Sequence, residues 1–142
     1  MKTTIKPKGL ADAWNAEKLY SKSLRYVQQM QNCGTDEWDH ALWSSLALEF
    51  LARGALANVS PTLLVDPKSS WQGLYHALGF EPTEPKYVPH SISIKEVLKR
   101  LTVIVPAFSS EHENFCVEHT GKRNAELHSG EAAFETLKAG SW

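Results

Sequence analysis

Apolar residues recur at helical spacing in the first part of the chain. Between Asn15 and Asn32 they stand three or four positions apart, as on one face of a helix: Ala16, Leu19, Tyr20, Leu24, Val27 and Met30. Asp12 or Asn15 could cap this first helix, which ends near Asn32. A second helix, over residues 37–58, is apolar on most sides, and we therefore expect it to be the most buried.

The middle of the chain is punctuated by proline and glycine. Ser60-Pro61 ends the second helix, and residues 69–80 form one short helix with Gly79 as its C-cap. Residues 81–90 contain three prolines and must form a surface loop. The pattern therefore predicts a loop-rich insertion with a short helix at mid-chain.

Three further helices are predicted in the last third. Ser93 and Glu96 have the spacing of a capping box and open a helix that Pro106 stops. The β-branched residues near its end also allow a strand, but the capping box and the apolar spacing favour a helix. Ser109 or Ser110 caps the next helix, which ends near Gly121, and residues 123–138 form the last, with Leu127, Phe134 and Leu137 facing the core.

About six helices and no predicted strand indicate an all-α fold, an antiparallel helical bundle with the Pro/Gly-containing loop and short helix inserted mid-chain. The length of 142 residues favours a single domain over residues 1–142. No apolar run is long enough to span a bilayer, and the N-terminus lacks the apolar segment of a signal peptide. Cys33 and Cys116 stand in no redox motif, and we expect a reducing, cytoplasmic location.

Charge limits the classes of partner. The formal net charge of −1 and the pI near 6.6 argue against a protein that coats duplex nucleic acid. They leave room for a local basic site that binds one phosphate or a short RNA segment.

The densest set of chemically useful side chains lies late in the chain. Arg123, Asn124 and His128 follow Gly121 closely, together with Lys122, Glu126 and Glu131. Arginine can hold a phosphate through its planar fork of donors, and histidine can transfer protons near neutral pH. If Gly121 breaks the preceding helix, Lys122 and Arg123 lie at a helix N-terminus, which favours an anion. Asn124 and His128 are then one turn apart on one face.

Simpler interpretations of these residues stay open. Arg123 to His128 could be an ordinary solvated helical turn, and Glu131, three residues after His128, could hydrogen-bond its imidazole or remain a solvated carboxylate. Glu49 and Arg53 stand four positions apart, which indicates an ion pair within the second helix. Alternatively, Glu49 orients a site residue of a neighbouring helix.

Two sets of residues have the spacing of metal ligands. His112, Cys116 and His119 share one helical face and could bind zinc, with His128 or Glu126 as the fourth ligand. Glu37 and His40 have the Glu-x-x-His spacing of a di-iron bundle, but no second copy of that motif occurs in the sequence. We therefore expect no metal and no other cofactor.

The sequence from Arg123 to His128 resembles the HEPN family, whose hallmark is arginine, a polar residue, three to five further residues and histidine. The resemblance implies a small all-α domain with a metal-independent endoribonuclease activity, found in toxins or defence systems, and a homodimer whose motif helices form a composite cleft. It implies that His128 acts as the general acid and base, that Arg123 holds the scissile phosphate and that Asn124 orients either of them. It also implies an RNA substrate and an antitoxin or partner subunit.

Some members of such a family serve as non-enzymatic scaffolds or as RNA- or protein-binding subunits of larger assemblies. The near-neutral pI fits this second function, as do the exposed aromatic side chains that we expect among Trp14, Trp38, Trp71 and Trp142.

Overall fold

The computed structural model describes residues 11–130 and 133–134, and this part of the chain is all-α. Its five α-helices are α1 (Ala16–Gln31), α2 (Trp38–Val59), α3 (Gln72–Ala77), α4 (Ile94–Ile104) and α5 (Ser110–His128). Short 3-10 helices cover Asp12–Trp14 and Pro61–Leu64. An isolated antiparallel bridge joins Val65 and Ser91, and the described residues contain no strand. The predicted all-α class is confirmed for these residues.

Helix α2 is the centre of the packing, as its nearly uniform apolar character predicted. It packs against α1, α4 and α5, and Leu56 on it is completely buried. The core around it includes Trp14, Leu64, Val97 and Leu98, all with no exposed surface. Each such side chain contributes roughly 1.5–3 kcal/mol through the surface it removes from water. Helix α2 therefore helps to position the residues of α5, together with α4.

The predicted insertion between α2 and α4 is present. Helix α3 is shorter than expected, and Gly79 follows it with φ of 98°, a left-handed conformation that glycine adopts without strain. The buried Gln72 amide joins helix to loop, because its Nε2 donates to Thr83 Oγ1 (2.9 Å) and its Oε1 accepts from Thr83 N–H (2.7 Å). The proline-containing loop is thereby fixed against α3.

Helix α4 begins with the predicted cap, but half of the predicted capping box is replaced. The backbone N–H of Glu96 donates to Ser93 Oγ at 3.3 Å. The Glu96 carboxylate, expected to return to the Ser93 backbone, instead accepts from Arg100 Nε at 3.2 Å, one turn further along. Serine alone therefore caps this helix.

We expect Ser93→Ala to lower the free energy of unfolding by about 1 kcal/mol, because a helix N–H then loses its acceptor. Urea unfolding of the two proteins measures the difference. Ser110→Ala is the matched control, since Ser110 is exposed and lies just inside α5, while Ser109 caps that helix. Equal effects of the two substitutions would show that the Ser93 cap contributes nothing specific.

Helix α5 corrects the prediction for the end of the chain. It continues through Gly121 to His128, so the two helices expected on either side of Gly121 are one. A glycine inside a helix costs only about 1 kcal/mol relative to alanine. Burial of Thr120 and Arg123 on both sides of Gly121 holds the helix together. Gly121 therefore does not create a helix N-terminus before Arg123.

The residues at the end of α5 and after it only partly support the expected core contacts. Leu127 is 52% exposed, so its assignment to the core was wrong, because the continuous helix turns it outward. Phe134 is buried as expected. Leu137 and the predicted helix end near residue 138 lie outside the described residues. Within the described part, no helix is both long and apolar enough to cross a bilayer.

Candidate functional site at the contact of α2 and α5

A cluster of three charged side chains connects α2 with α5. Glu49 accepts from Arg53 Nε (3.3 Å) and Nη2 (3.1 Å) one turn along α2, and its other oxygen accepts from Arg123 Nη1 of α5. The side chains of Glu49 and Arg53 are 14% exposed and that of Arg123 is 8% exposed. Glu49 therefore makes both of the contacts considered from the sequence. It pairs with Arg53 of its own helix, and it also binds Arg123, a predicted site residue of α5.

The predicted site residues of α5 divide between the interior and the surface. Arg123 is buried, whereas Asn124 and His128 are exposed. At about 100° per residue, Asn124 and His128 lie about 40° apart around the helix axis, but Arg123 and His128 lie about 140° apart. Arg123 Nη2 donates to Asn124 Oδ1 at 3.3 Å. The buried cation is therefore linked to the exposed face through the asparagine.

The end of the helix at which these residues lie differs from the prediction. His128 is the last residue of α5, and the hydroxyl of Ser129 donates to the carbonyl of Ala125 at 2.6 Å. Unpaired carbonyls at a helix C-terminus carry partial negative charge, which disfavours an anion. The expected backbone anion site at Lys122 and Arg123 was therefore wrong, because the helix does not start there.

The supporting residues have separate positions. Lys122 lies 3.9 Å from the Glu118 carboxylate on the surface of α5. Glu126 Oε2 accepts from the backbone N–H of Phe134 at 3.3 Å, and thus links Phe134 to α5. Glu131 lies outside the described residues. Lys122 and Glu126 thus have structural partners of their own.

A second polar contact between α2 and α5, partly buried, joins Ser44 and His119. The Ser44 hydroxyl donates to the carbonyl of Ala41 (3.0 Å), so its oxygen is left to accept from Nε2–H of His119 (3.1 Å). The rings of Phe115 and Phe134 lie 6.0 and 5.8 Å from the imidazole. Burial, and then the positive charges of Arg123 and Lys122, lower the pKa of His119 to about 4. His119 is therefore neutral at physiological pH.

In the part of the chain that the structure describes, the possible zinc ligands His112, Cys116 and His119 are not brought together. His112 is exposed, and its Nδ1 accepts from the backbone N–H of Ser109 at 3.2 Å, while His119 faces Ser44. Among the described residues, three ligand atoms come within 4.8 Å of one another at Cys33, Glu37 and Asp39 instead. Partial burial, and then Asp39, raise the pKa of the Cys33 thiol, whereas a metal binds the thiolate.

Comparison with models of protein families, with curated proteins and with solved structures finds no match to this chain. The resemblance to the HEPN family therefore rests on the residues of the Arg123–His128 motif alone.

The sequence did not predict the contact of Ser44 with His119, and it allowed a contact of Glu49 with another helix without identifying Arg123 as the partner. Ser44 and His119 are 75 positions apart, and Glu49 and Arg123 are 74 apart. A signal was available for Glu49, because a carboxylate in a helix that is apolar on most sides needs a partner when it is buried. Ser44 offered no comparable signal, since a serine in a helix is often satisfied by a carbonyl of the preceding turn.

Proposed function

We propose that the protein is a HEPN-type endoribonuclease that cleaves RNA through attack by a ribose 2′-OH. The observation that carries this proposal is the hydrogen bond from Arg123, itself held by Glu49, to the exposed Asn124, with His128 one turn further on the same face. Arg123 and Asn124 thus form a hydrogen-bonded pair with a fixed cation, and the Asn124 amide and the His128 imidazole are exposed on one face, open to a substrate.

The chemistry needs proton transfer and charge stabilisation. The imidazole of His128 removes the proton from the 2′-OH, the 2′-oxygen forms a bond to phosphorus, and the bond from phosphorus to the 5′-oxygen breaks. An imidazolium, on His128 or on its copy in a second chain, returns a proton to the leaving 5′-oxygen. The products are a 2′,3′-cyclic phosphate and a 5′-hydroxyl end.

In this scheme Arg123 is a positioning residue within its own chain. Its side chain is 8% exposed and already binds Glu49 and Asn124, so its role is to orient the Asn124 amide towards the phosphate. The composite cleft of a homodimer would bring two such faces to one RNA strand. An enzyme of this kind in a toxin or defence system would be restrained by an antitoxin or partner subunit.

We expect His128→Ala to lower the rate of RNA cleavage by about 100-fold, the loss that accompanies removal of a general acid and base. Asn124→Ala should lower the rate as well, because the group next to the phosphate is lost. Cleavage is measured on a labelled RNA with analysis of the ends, which should be 2′,3′-cyclic phosphates. His90→Ala is the control, since His90 is also exposed but lies in the loop before α4.

Two outcomes would contradict the ribonuclease proposal. One is a cleavage rate that His128→Ala and His90→Ala change equally, which would place the activity elsewhere or in a contaminant. The other is cleavage of an RNA whose 2′-hydroxyls are methylated, because that substrate lacks the attacking group.

A second candidate function is a non-enzymatic helical binding module. It is favoured by a row of exposed apolar side chains at α3, in which Trp71, Leu74 and Leu78 are 68%, 51% and 60% exposed. Of the tryptophans expected on the surface, Trp38 is 47% exposed and Trp14 is buried. Trp142 lies outside the described residues.

Analysis of the RNA ends distinguishes the two functions. A binding module would retain RNA or a protein partner on a column but would yield no cyclic-phosphate ends, and Trp71→Ser would weaken the retention of a protein. A ribonuclease would yield those ends, and Trp71→Ser would leave the cleavage rate unchanged.

A further inference from the structure

A basic pocket opens on the side of α2 that faces α1. Its volume is about 390 Å³. Its polar lining comes from the first 3-10 helix, from α1, from α2 and from the segment before α4: Asp12, Lys18, Lys22, Arg53 and Ser91. Phe50, Leu19 and Ala13 complete the wall. None of these residues belongs to the motif on α5.

The pocket and the groups behind it carry a surplus of positive charge. Lys18 is balanced by Asp12, since Lys18 Nζ lies 2.5 Å from the Asp12 carboxylate. Glu49 is shared between Arg53 and Arg123, which leaves one positive charge there. Lys22 has no carboxylate within ion-pair distance among the residues that the structure describes. Counting the described residues that line the pocket together with Glu49 and Arg123 behind Arg53, four cations accompany two carboxylates, and a surplus of two positive charges remains.

Lys22 and Arg53 also retain hydrogen-bond donors. Lys22 Nζ lies 4.6 Å from the centroid of the Phe50 ring, a contact that fixes the ammonium group at the pocket wall and uses none of its hydrogen-bond donors. Arg53 has five N–H donors, of which two bind Glu49 and one binds the carbonyl of Ile92 at 2.9 Å. Two N–H groups of this fixed guanidinium therefore remain for a ligand.

We propose that this pocket binds a phosphate monoester, the doubly charged group at the 5′ end of a nucleotide or of an RNA strand. Such a group carries a charge of about −1.5 to −2 at neutral pH, which matches the surplus of two positive charges. Lys22 and the two remaining donors of Arg53 bind its oxygens, because charged donors form the strongest hydrogen bonds to phosphate. The Ser91 hydroxyl lines the same space and can donate a further bond.

Binding measurements on the full chain test this site independently of any cleavage. The probes are adenosine, adenosine 5′-monophosphate, and a 2′-O-methyl RNA hexamer with and without a 5′-phosphate, since methylation removes the nucleophile of the proposed reaction. We expect the monophosphate to bind in calorimetry and adenosine not to bind. The affinity should fall as salt is added, because the contact is between charges.

Two substitutions are expected to change the affinity for the monophosphate in opposite directions. Lys22→Gln should weaken binding of the monophosphate by about tenfold, through loss of one charged hydrogen bond. Asp12→Asn should strengthen it by about threefold, because it releases Lys18 and removes a repulsive carboxylate. Lys99→Gln, at an exposed lysine of α4, is the matched control and should have no effect.

The outcomes separate the sources of the phosphate. Equal binding of the monophosphate and the phosphorylated hexamer assigns the pocket to a small molecule, and preference for the phosphorylated hexamer assigns it to an RNA end. Equal affinity for adenosine and its monophosphate would overturn the proposal, as would equal effects of Lys22→Gln and Lys99→Gln. If His128→Ala loses cleavage but still binds the monophosphate, the phosphate site is supported independently of the ribonuclease proposal.

Discussion

Replacing Glu49 with glutamine is expected to lower the free energy of unfolding by about 3–5 kcal/mol, the loss found when one member of a buried ion pair is removed. The carboxylate is the shared partner of Arg53 and Arg123, and all three side chains are at most 14% exposed. Glutamine is similar in size, so the loss arises from two guanidinium groups that remain buried without a counter-charge. Urea unfolding monitored by circular dichroism measures it.

Glu96→Gln is the matched control for this experiment. Glu96 pairs with Arg100 at the same spacing within one helix, but the two side chains are 42% and 27% exposed. Exposed pairs contribute about 0.2–1 kcal/mol, so this variant should stay close to the wild type. Adding Arg123→Met to Glu49→Gln should recover part of the loss, because it removes one uncompensated charge. Equal effects of Glu49→Gln and Glu96→Gln would contradict the structural role given to the cluster.

Acidification is expected to destabilise the protein through His119. Its pKa is about 4 in the folded chain against an ordinary value of 6.5, because burial and the charges of Arg123 and Lys122 disfavour the imidazolium. Below pH 6.5 the unfolded chain binds a proton that the folded chain does not bind. Stability is therefore complete above pH 6.5 and falls as the pH decreases towards 4. The expected loss is about 2 kcal/mol at pH 5 and about 3 kcal/mol at pH 4.

His119→Gln isolates this contribution. Glutamine can still donate to Ser44 but does not titrate, so the difference in stability between pH 7 and pH 5 should shrink by about 2 kcal/mol. His90→Gln, at an exposed histidine, should leave that difference unchanged. Measurements stop at pH 5 because carboxylates begin to titrate below it. If the free energy of unfolding of the wild type does not change between pH 7 and pH 5, His119 binds a proton as readily in the folded chain as in the unfolded chain, and the prediction is wrong.

The local signals in the sequence predicted most of the helices. Asn15 caps α1 through a hydrogen bond from Lys18 N–H (3.1 Å), and Ser109 caps α5; each is one of the two candidates that the sequence left open. These elements were predictable because a cap and the apolar period following it lie within a few residues. Gly121 misled the prediction for the same reason, since its local preference was outweighed by packing of α5 against α2 and α4.

The candidate site was less predictable than the fold. The residue types of the motif are visible in the sequence, and the face shared by Asn124 and His128 follows from helical spacing. Burial of Arg123 does not follow from that spacing, because it depends on Glu49 of another helix. The pocket beside Lys22 was missed as well, since it combines residues from positions 12 to 91 that only the fold brings together.

The position of Arg123 has a consequence for experiments in living cells. A protein whose stability falls by a few kcal/mol is removed by chaperones and proteases, and its steady-state amount drops. A loss of activity in cells that carry an Arg123 variant therefore reports first on the amount of folded protein, because the Arg123 guanidinium supports the contact between α2 and α5. His128 is exposed at the end of α5, so its variants are expected to persist at normal abundance. Genetic comparison of the two residues is meaningful only when protein levels are measured alongside.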